Sequence, residues 1–141
     1  MNTVAPIDFP ELNKPPMSLE AEQAVVGGLL LRNDAWDDVY DIVRKQHFFR
    51  RQHSIIFEVF GELYENQIPV DVVTLGEELE KRDLLDVVGG LAYIAEVANN
   101  TPSVANIKAY ADIVKERAVL RNMIAISQET MDVCFQSHKS S

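Results

Sequence analysis

The segment SLEAEQAVVGGLLL at positions 18–31 decides how the rest of the chain is read. Ser18 stands where an N-cap oxygen is wanted, and Glu20 and Glu22 place negative charge in the turn where it offsets the helix dipole. Leu19, Val25, Val26, Leu29 and Leu30 then recur at helical spacing, which predicts a helix to about Leu31. Gly27 and Gly28 inside it each cost about 1 kcal/mol against alanine, so their presence predicts a second backbone packed close at that point.

Working outward, Pro6, Pro10, Pro15 and Pro16 block helix and ladder hydrogen bonds upstream, predicting a flexible Pro-rich arm over residues 1–16. Downstream the pattern stays helical. Asp34 is read as the cap of a short second helix carrying Trp36, Val39, Tyr40 and Val43 inward, with Arg44 and Lys45 at its negative end. A third helix, from about Arg50 to Glu65, gathers Phe49, His53, Ile56, Phe57, Phe60, Leu63 and Tyr64 on one face and is expected to be the central core helix. Asp71 caps a fourth through Leu75 and Leu79, and Gly89 and Gly90 introduce a fifth through Leu91, Ile94 and Ala98.

Ser103 then opens a long sixth segment with two apolar stripes. Ile107, Ala111, Val114 and Ala118 form one, and Ile113, Leu120, Ile124, Met131 and Phe135 the other. A helix of about 30 residues is ~45 Å long, more than a core of this size covers. Either another surface covers the distal half, or the helix breaks near residues 123–127 and folds back. The fold class is therefore all-α, a compact bundle of about six helices with a long C-terminal helix. Residues 17–123 form the domain and residues 124–141 an arm with a frayed tail.

The 141 residues suit a single domain, and 47% apolar content suffices for a real core. Acids outnumber bases by 22 to 13 for a net charge of −9, a field that repels phosphate backbones and disfavours nucleic-acid binding, a helix-turn-helix reader included. The excess lies in residues 1–103, with 8 basic and 18 acidic side chains. A lone Cys134 makes no internal disulfide, which fits a reducing, cytoplasmic setting. The longest run of apolar residues and glycines, positions 24–31, is far below a membrane span.

None of the six glycines precedes a lysine, so a Walker A loop is absent, as are GxGxxG, HExxH and GxSxG. His47 and His53 lie six residues apart without an acidic third ligand, a poor metal pair. His53 suits a phosphorelay role if exposed, but its apolar neighbours favour a satisfied core position. The carboxylate pairs Asp37-Asp38 and Glu77-Glu78 diverge on a helix and read as solvated faces.

Taken together and in order, several motifs point to a family. The run from Ser18 to Gly28 is followed by His53 with Ile56 and Phe57, then by Pro69, Val70 and Asp71 with Thr74 and Leu75. Gly89 and Gly90 come with Ala92 and Tyr93, and Thr101 and Pro102 with Asn106, Tyr110, Ala111, Ile113 and Val114. The series resembles the N-terminal domain of bacterial DnaB-type replicative DNA helicases over about residues 16–124.

The resemblance implies a non-catalytic collar domain without cofactor of its own, whose parent chain adds an ATP- and Mg-dependent RecA-like motor, absent here, that runs on single-stranded DNA as a hexamer. It implies self-association as dimers and a trimer of dimers through a helical hairpin. Ile124, Met131 and Phe135 lie on the hairpin's first arm, and the chain is expected to end before the second. Further implied partners are the C-terminal domain of primase and a helicase loader, with little or no direct DNA binding and no membrane. Glu20 and Tyr93 match positions that tune primase engagement. A stand-alone all-α interaction or phosphorelay module built on His53 is the alternative from another class.

Overall fold

A computed structural model describes residues 14–140, so most of the Pro-rich arm inferred from sequence lies outside the described residues. The elements are α1 (Leu19–Leu31), α2 (Trp36–Tyr40), α3 (Arg51–Glu65), α4 (Val72–Lys81), α5 (Gly90–Asn99) and α6 (Ile107–Ser140), with no strand among the described residues. Short 3₁₀ turns precede α2 (Asn33–Ala35), α3 (Lys45–His47) and α6 (Val104–Asn106).

α1 begins where Ser18 Oγ accepts the Ala21 N–H at 3.2 Å. It is buried almost all round and packs on α3, α5 and α6, so it and not α3 is the central helix. The glycines explain this. A Cβ on Gly27 would collide with Thr101 and come within 2.7 Å of the Val97 carbonyl, and one on Gly28 would meet Ile107 Cδ1 at 2.8 Å. Their absent side chains let the end of α5 and the start of α6 lie against α1, which gives α1 neighbours on every side.

The second helix departs from expectation. Asp34 makes no cap, pairing instead with Arg32 at the surface (3.3 Å). Asn33 organises the segment: its amide donates to the Leu29 and Val70 carbonyls, both at 2.9 Å, and its oxygen accepts the Val70 N–H at 2.8 Å. α2 stops at Tyr40, where the Arg44 guanidinium lies 3.6 Å from the ring centroid and donates to the Tyr40 and Val43 carbonyls. Arg44 and Lys45 thus lie beyond this helix, because the side chain of Arg44 takes carbonyls that a further turn would have used.

Behind α2, Trp36 fits over Gly61 and packs its ring on Phe57 and Phe60. Phe49 lies outside α3 and is exposed, with the Arg121 guanidinium 5.5 Å from its ring centroid. α4 carries the cap read from sequence: Asp71 Oδ1 accepts the Thr74 N–H at 2.8 Å and Thr74 Oγ1 accepts the Asp71 N–H at 2.9 Å. Gly89 at φ +105 starts α5 in the left-handed region that glycine tolerates. Ile94, Val97 and Ala98 point inward as read, whereas Leu91 is half in solvent, lying over Gly76.

α6 is one continuous helix of 34 residues, about 51 Å long, with no break at residues 123–127, and it runs past Phe135 to Ser140. Ile107, Ala111 and Val114 are buried against α1 and α2, while Leu120, Ile124, Met131 and Phe135 are exposed. The second stripe therefore stands uncovered from Leu120 onward.

Candidate functional site

Two features combine chemistry with access. The first is the seam between α1 and α5. Glu22, two residues beyond Glu20 on α1, turns into the core and is 1% exposed. Its carboxylate accepts the backbone N–H groups of Phe49 (2.6 Å) and Arg50 (3.2 Å), closing the entry to α3, and lies 2.8 Å from His53 Nδ1. His53, also 1% exposed, places Nε2 2.6 Å from the Tyr93 hydroxyl, which in turn accepts from the Gln23 amide at 3.3 Å.

A carboxylate only accepts, so Nδ1 carries the proton toward Glu22, and Nε2 and the Tyr93 hydroxyl share the second hydrogen bond. No buried side-chain nitrogen or oxygen lacks a partner among the described residues. The result is a wire from the start of α3 through the core to the half-buried Tyr93 at the seam.

Sequence reasoning missed Glu22, treating it as a dipole charge like Glu20, because a carboxylate in a first turn looks the same whether solvated or buried. The signal available was its place on the buried face with Val25, Val26 and Leu29. His53 has both ring nitrogens bonded inside the core, which removes the nucleophile that a phosphorelay needs. The two histidines do not converge, since His47 Nδ1 accepts the Arg44 N–H at 2.8 Å on another side of α3.

Glu20 is exposed at the rim of a groove of about 510 Å³ at one end of the same seam. Ala24, Val97, Tyr110 and Ile113 give the groove an apolar lining, and Glu96 supplies a second carboxylate. Gln23 lines the groove and bonds Tyr93, so Glu20 and Tyr93, seventy-odd positions apart in sequence, border one continuous α1/α5 surface.

The second feature is the distal half of α6. Ile124 and Met131 are one heptad apart and Phe135 follows a turn later, and Met123, Ile126 and Val133 widen the apolar surface. Phe135 is 64% exposed, and nothing among the described residues covers this stripe.

The model of the DnaB-like helicase N-terminal domain family matches residues 14–116. The chain is 47% identical over 116 residues to the replicative DNA helicase DnaB of Haemophilus influenzae, covering 82% of this chain and 25% of that protein. It is 40% identical over 110 residues to the replicative DNA helicase DnaC of Bacillus subtilis, covering 78% of this chain and 24% of that one. The chain thus spans about a quarter of the length of these relatives.

Among solved structures, the N-terminal domain of DnaB helicase from Mycobacterium tuberculosis superposes with a TM-score of 0.84 at 36% identity, covering 86% of this chain and 88% of that one. The N-terminal domain of DnaB helicase from Helicobacter pylori, described with its interactions with primase, shares the fold at a TM-score of 0.70 and 19% identity, covering 84% and 90%. With the six-helix fold, the glycine-packed α1 and the matched residues in agreement, the chain belongs to the DnaB-like helicase N-terminal domain family.

Proposed function

We propose that this chain is the non-catalytic collar of a ring-forming, ATP-dependent replicative DNA helicase in the bacterial cytoplasm. In this reading it pairs with copies of itself through the distal half of α6, as dimers within a trimer of dimers. It docks the C-terminal domain of primase on the α1/α5 seam, with Glu20 and Tyr93 as partner-facing residues, and a loader protein acts on the same collar. Residues 17–123 serve as the docking body and the following segment as the pairing arm.

The observation that carries the reading is the uncovered stripe of Ile124, Met131 and Phe135 on a rigid helix. Burying three such side chains contributes about 1.5–3 kcal/mol each, enough to drive reversible pairing. A net charge of −9 also favours a basic or mixed protein partner and keeps the collar from adhering to DNA. ATP and Mg belong to the motor. The chain has no Gly-Lys step, and no cluster of three or more His, Cys, Asp or Glu side chains suited to a metal occurs among the described residues, so the residues present do not fit that pair.

The wire behind Tyr93 supports the docking surface physically. Its hydroxyl is held by His53 and Gln23, so the ring is pre-oriented and loses little rotamer freedom on binding. Calorimetric titration with the primase C-terminal domain tests this. Tyr93→Ala and Glu20→Lys are expected to weaken binding by roughly ten-fold each while α-helical content is kept. Unchanged affinity in both folded variants would remove the seam from the interface.

A further inference from the structure

On this acidic surface five Lys and Arg side chains have a carboxylate partner among the described residues: Arg32 pairs with Asp34, Lys45 with Glu58, Arg82 with Glu62 and Glu78, Lys108 with Asp38 and Arg117 with Glu116. Arg44, Lys115 and Arg121 have none within ion-pair distance among the described residues, and they converge on His47. Lys115 Nζ lies 3.3 Å from His47 Nε2. The Arg121 guanidinium donates to the carbonyls of His47 (2.8 Å) and Pro16 (2.7 Å), which fixes its position without neutralising its charge. Burial, and then the charges of Lys115, Arg44 and Arg121, hold the His47 imidazole below its ordinary pKa.

His47, Lys115 and Arg121 border a cleft of about 560 Å³, completed by Gln46, Ala118, Val119 and Asn122. Lys115 and Asn122 are two turns apart on one face of α6, so an ammonium and an amide look into the same space. Arg121 also forms the wall of an adjoining hollow of about 350 Å³, lined by Pro15, Pro16, Ile124 and Ala125. Lys14 and Gln128 complete that hollow, so the cationic cleft continues into a mixed one with an apolar wall.

The volume suits a side chain, and the net charge of −9 around it repels an extended polyanion such as nucleic acid. One carboxylate brings far less charge and gains two unpaired cations at close range. We propose that this cleft docks an acidic segment of a partner protein, with a Glu or Asp carboxylate on Lys115 and Arg121 and a neighbouring apolar side chain in the hollow beside Pro15 and Pro16.

The test is an NMR titration of the chain with the peptide acetyl-ELEL-amide, following the His47 ring and the Gln46 and Asn122 amides at fixed ionic strength. Acetyl-KLKL-amide and sodium phosphate serve as parallel probes. The acidic peptide is expected to give saturable shifts confined to the cleft and to move the His47 titration upward, because a nearby carboxylate favours the imidazolium. Lys115→Ala should weaken binding by roughly ten-fold and Lys115→Arg should retain it.

Equal shifts with the basic peptide, or undiminished binding by Lys115→Ala, would overturn the proposal. Phosphate reproducing the whole response would reduce the cleft to a small-anion site and also overturn it. The same would follow if protein concentration alone produced the shifts, since the occupant would then be a second copy.

Discussion

Along α6, Ile107, Ala111 and Val114 are sealed under α1 and α2, whereas Leu120, Ile124, Met131 and Phe135 stand in solvent on the same unbroken helix. Both halves have the same backbone hydrogen bonding, so continuity of helix says nothing about what stabilises it. The proximal half is held by core packing. The distal half rests on local propensity, its Ser127 and Thr130 hydroxyls donating to carbonyls one turn back, and its apolar side chains contribute nothing to the fold of a single chain. An apolar repeat that the monomer does not use is the feature on which the proposed self-association rests.

The largest effect that separates the halves comes from placing one charge in each. Val114→Asp buries an unpaired carboxylate among α1 and α2 and should destabilise the chain by about 4 kcal/mol in chemical denaturation. Phe135→Asp should leave monomer stability within about 0.5 kcal/mol while weakening self-association. Comparable losses of monomer stability at both sites would erase the distinction.

A second contrast of the same kind lies within one turn of α1. Glu22→Ala strips the acceptor from the Phe49 and Arg50 N–H groups and from His53, and should cost about 3 kcal/mol in thermal or denaturant unfolding. Glu20→Ala, at the exposed rim, should cost no more than about 0.5 kcal/mol and act on partner binding alone.

The smallest effect concerns the exposed cap of α4. The Thr74 N–H holds the Asp71 carboxyl below its ordinary pKa, so its stabilising contribution is complete above about pH 3.8 and is lost as pH falls through the lower folded value. Asp71→Asn keeps a capping oxygen and should flatten stability against pH in that window, with a difference at neutral pH under about 1 kcal/mol. An unchanged acid slope would place the titrating group elsewhere.

Features written in short-range chemistry were legible from sequence. The Asp71 cap, the Ser18 cap, the start of α5 at Gly89 and Gly90 and the close packing at Gly27 and Gly28 all follow from residue type and spacing. What escaped depends on approach through space. Glu22 becomes a core anchor only because Phe49, Arg50 and His53 arrive opposite it, and α1 becomes central only because two later helices use its glycine face. Asn33 could not be preferred over Asp34 without knowing that Val70 lies within reach. Glu20 and Tyr93 were named by family pattern, but their common border through Gln23 is a tertiary fact.

The central claim is that the distal half of α6 is a pairing surface, and sedimentation velocity across a concentration series tests it most directly, comparing the unmodified chain with Phe135→Asp. A reversible monomer–dimer equilibrium is expected for the unmodified chain, shifting strongly toward monomer in the variant. A chain that stays monomeric at every concentration, or a dimer indifferent to Phe135→Asp, would contradict it.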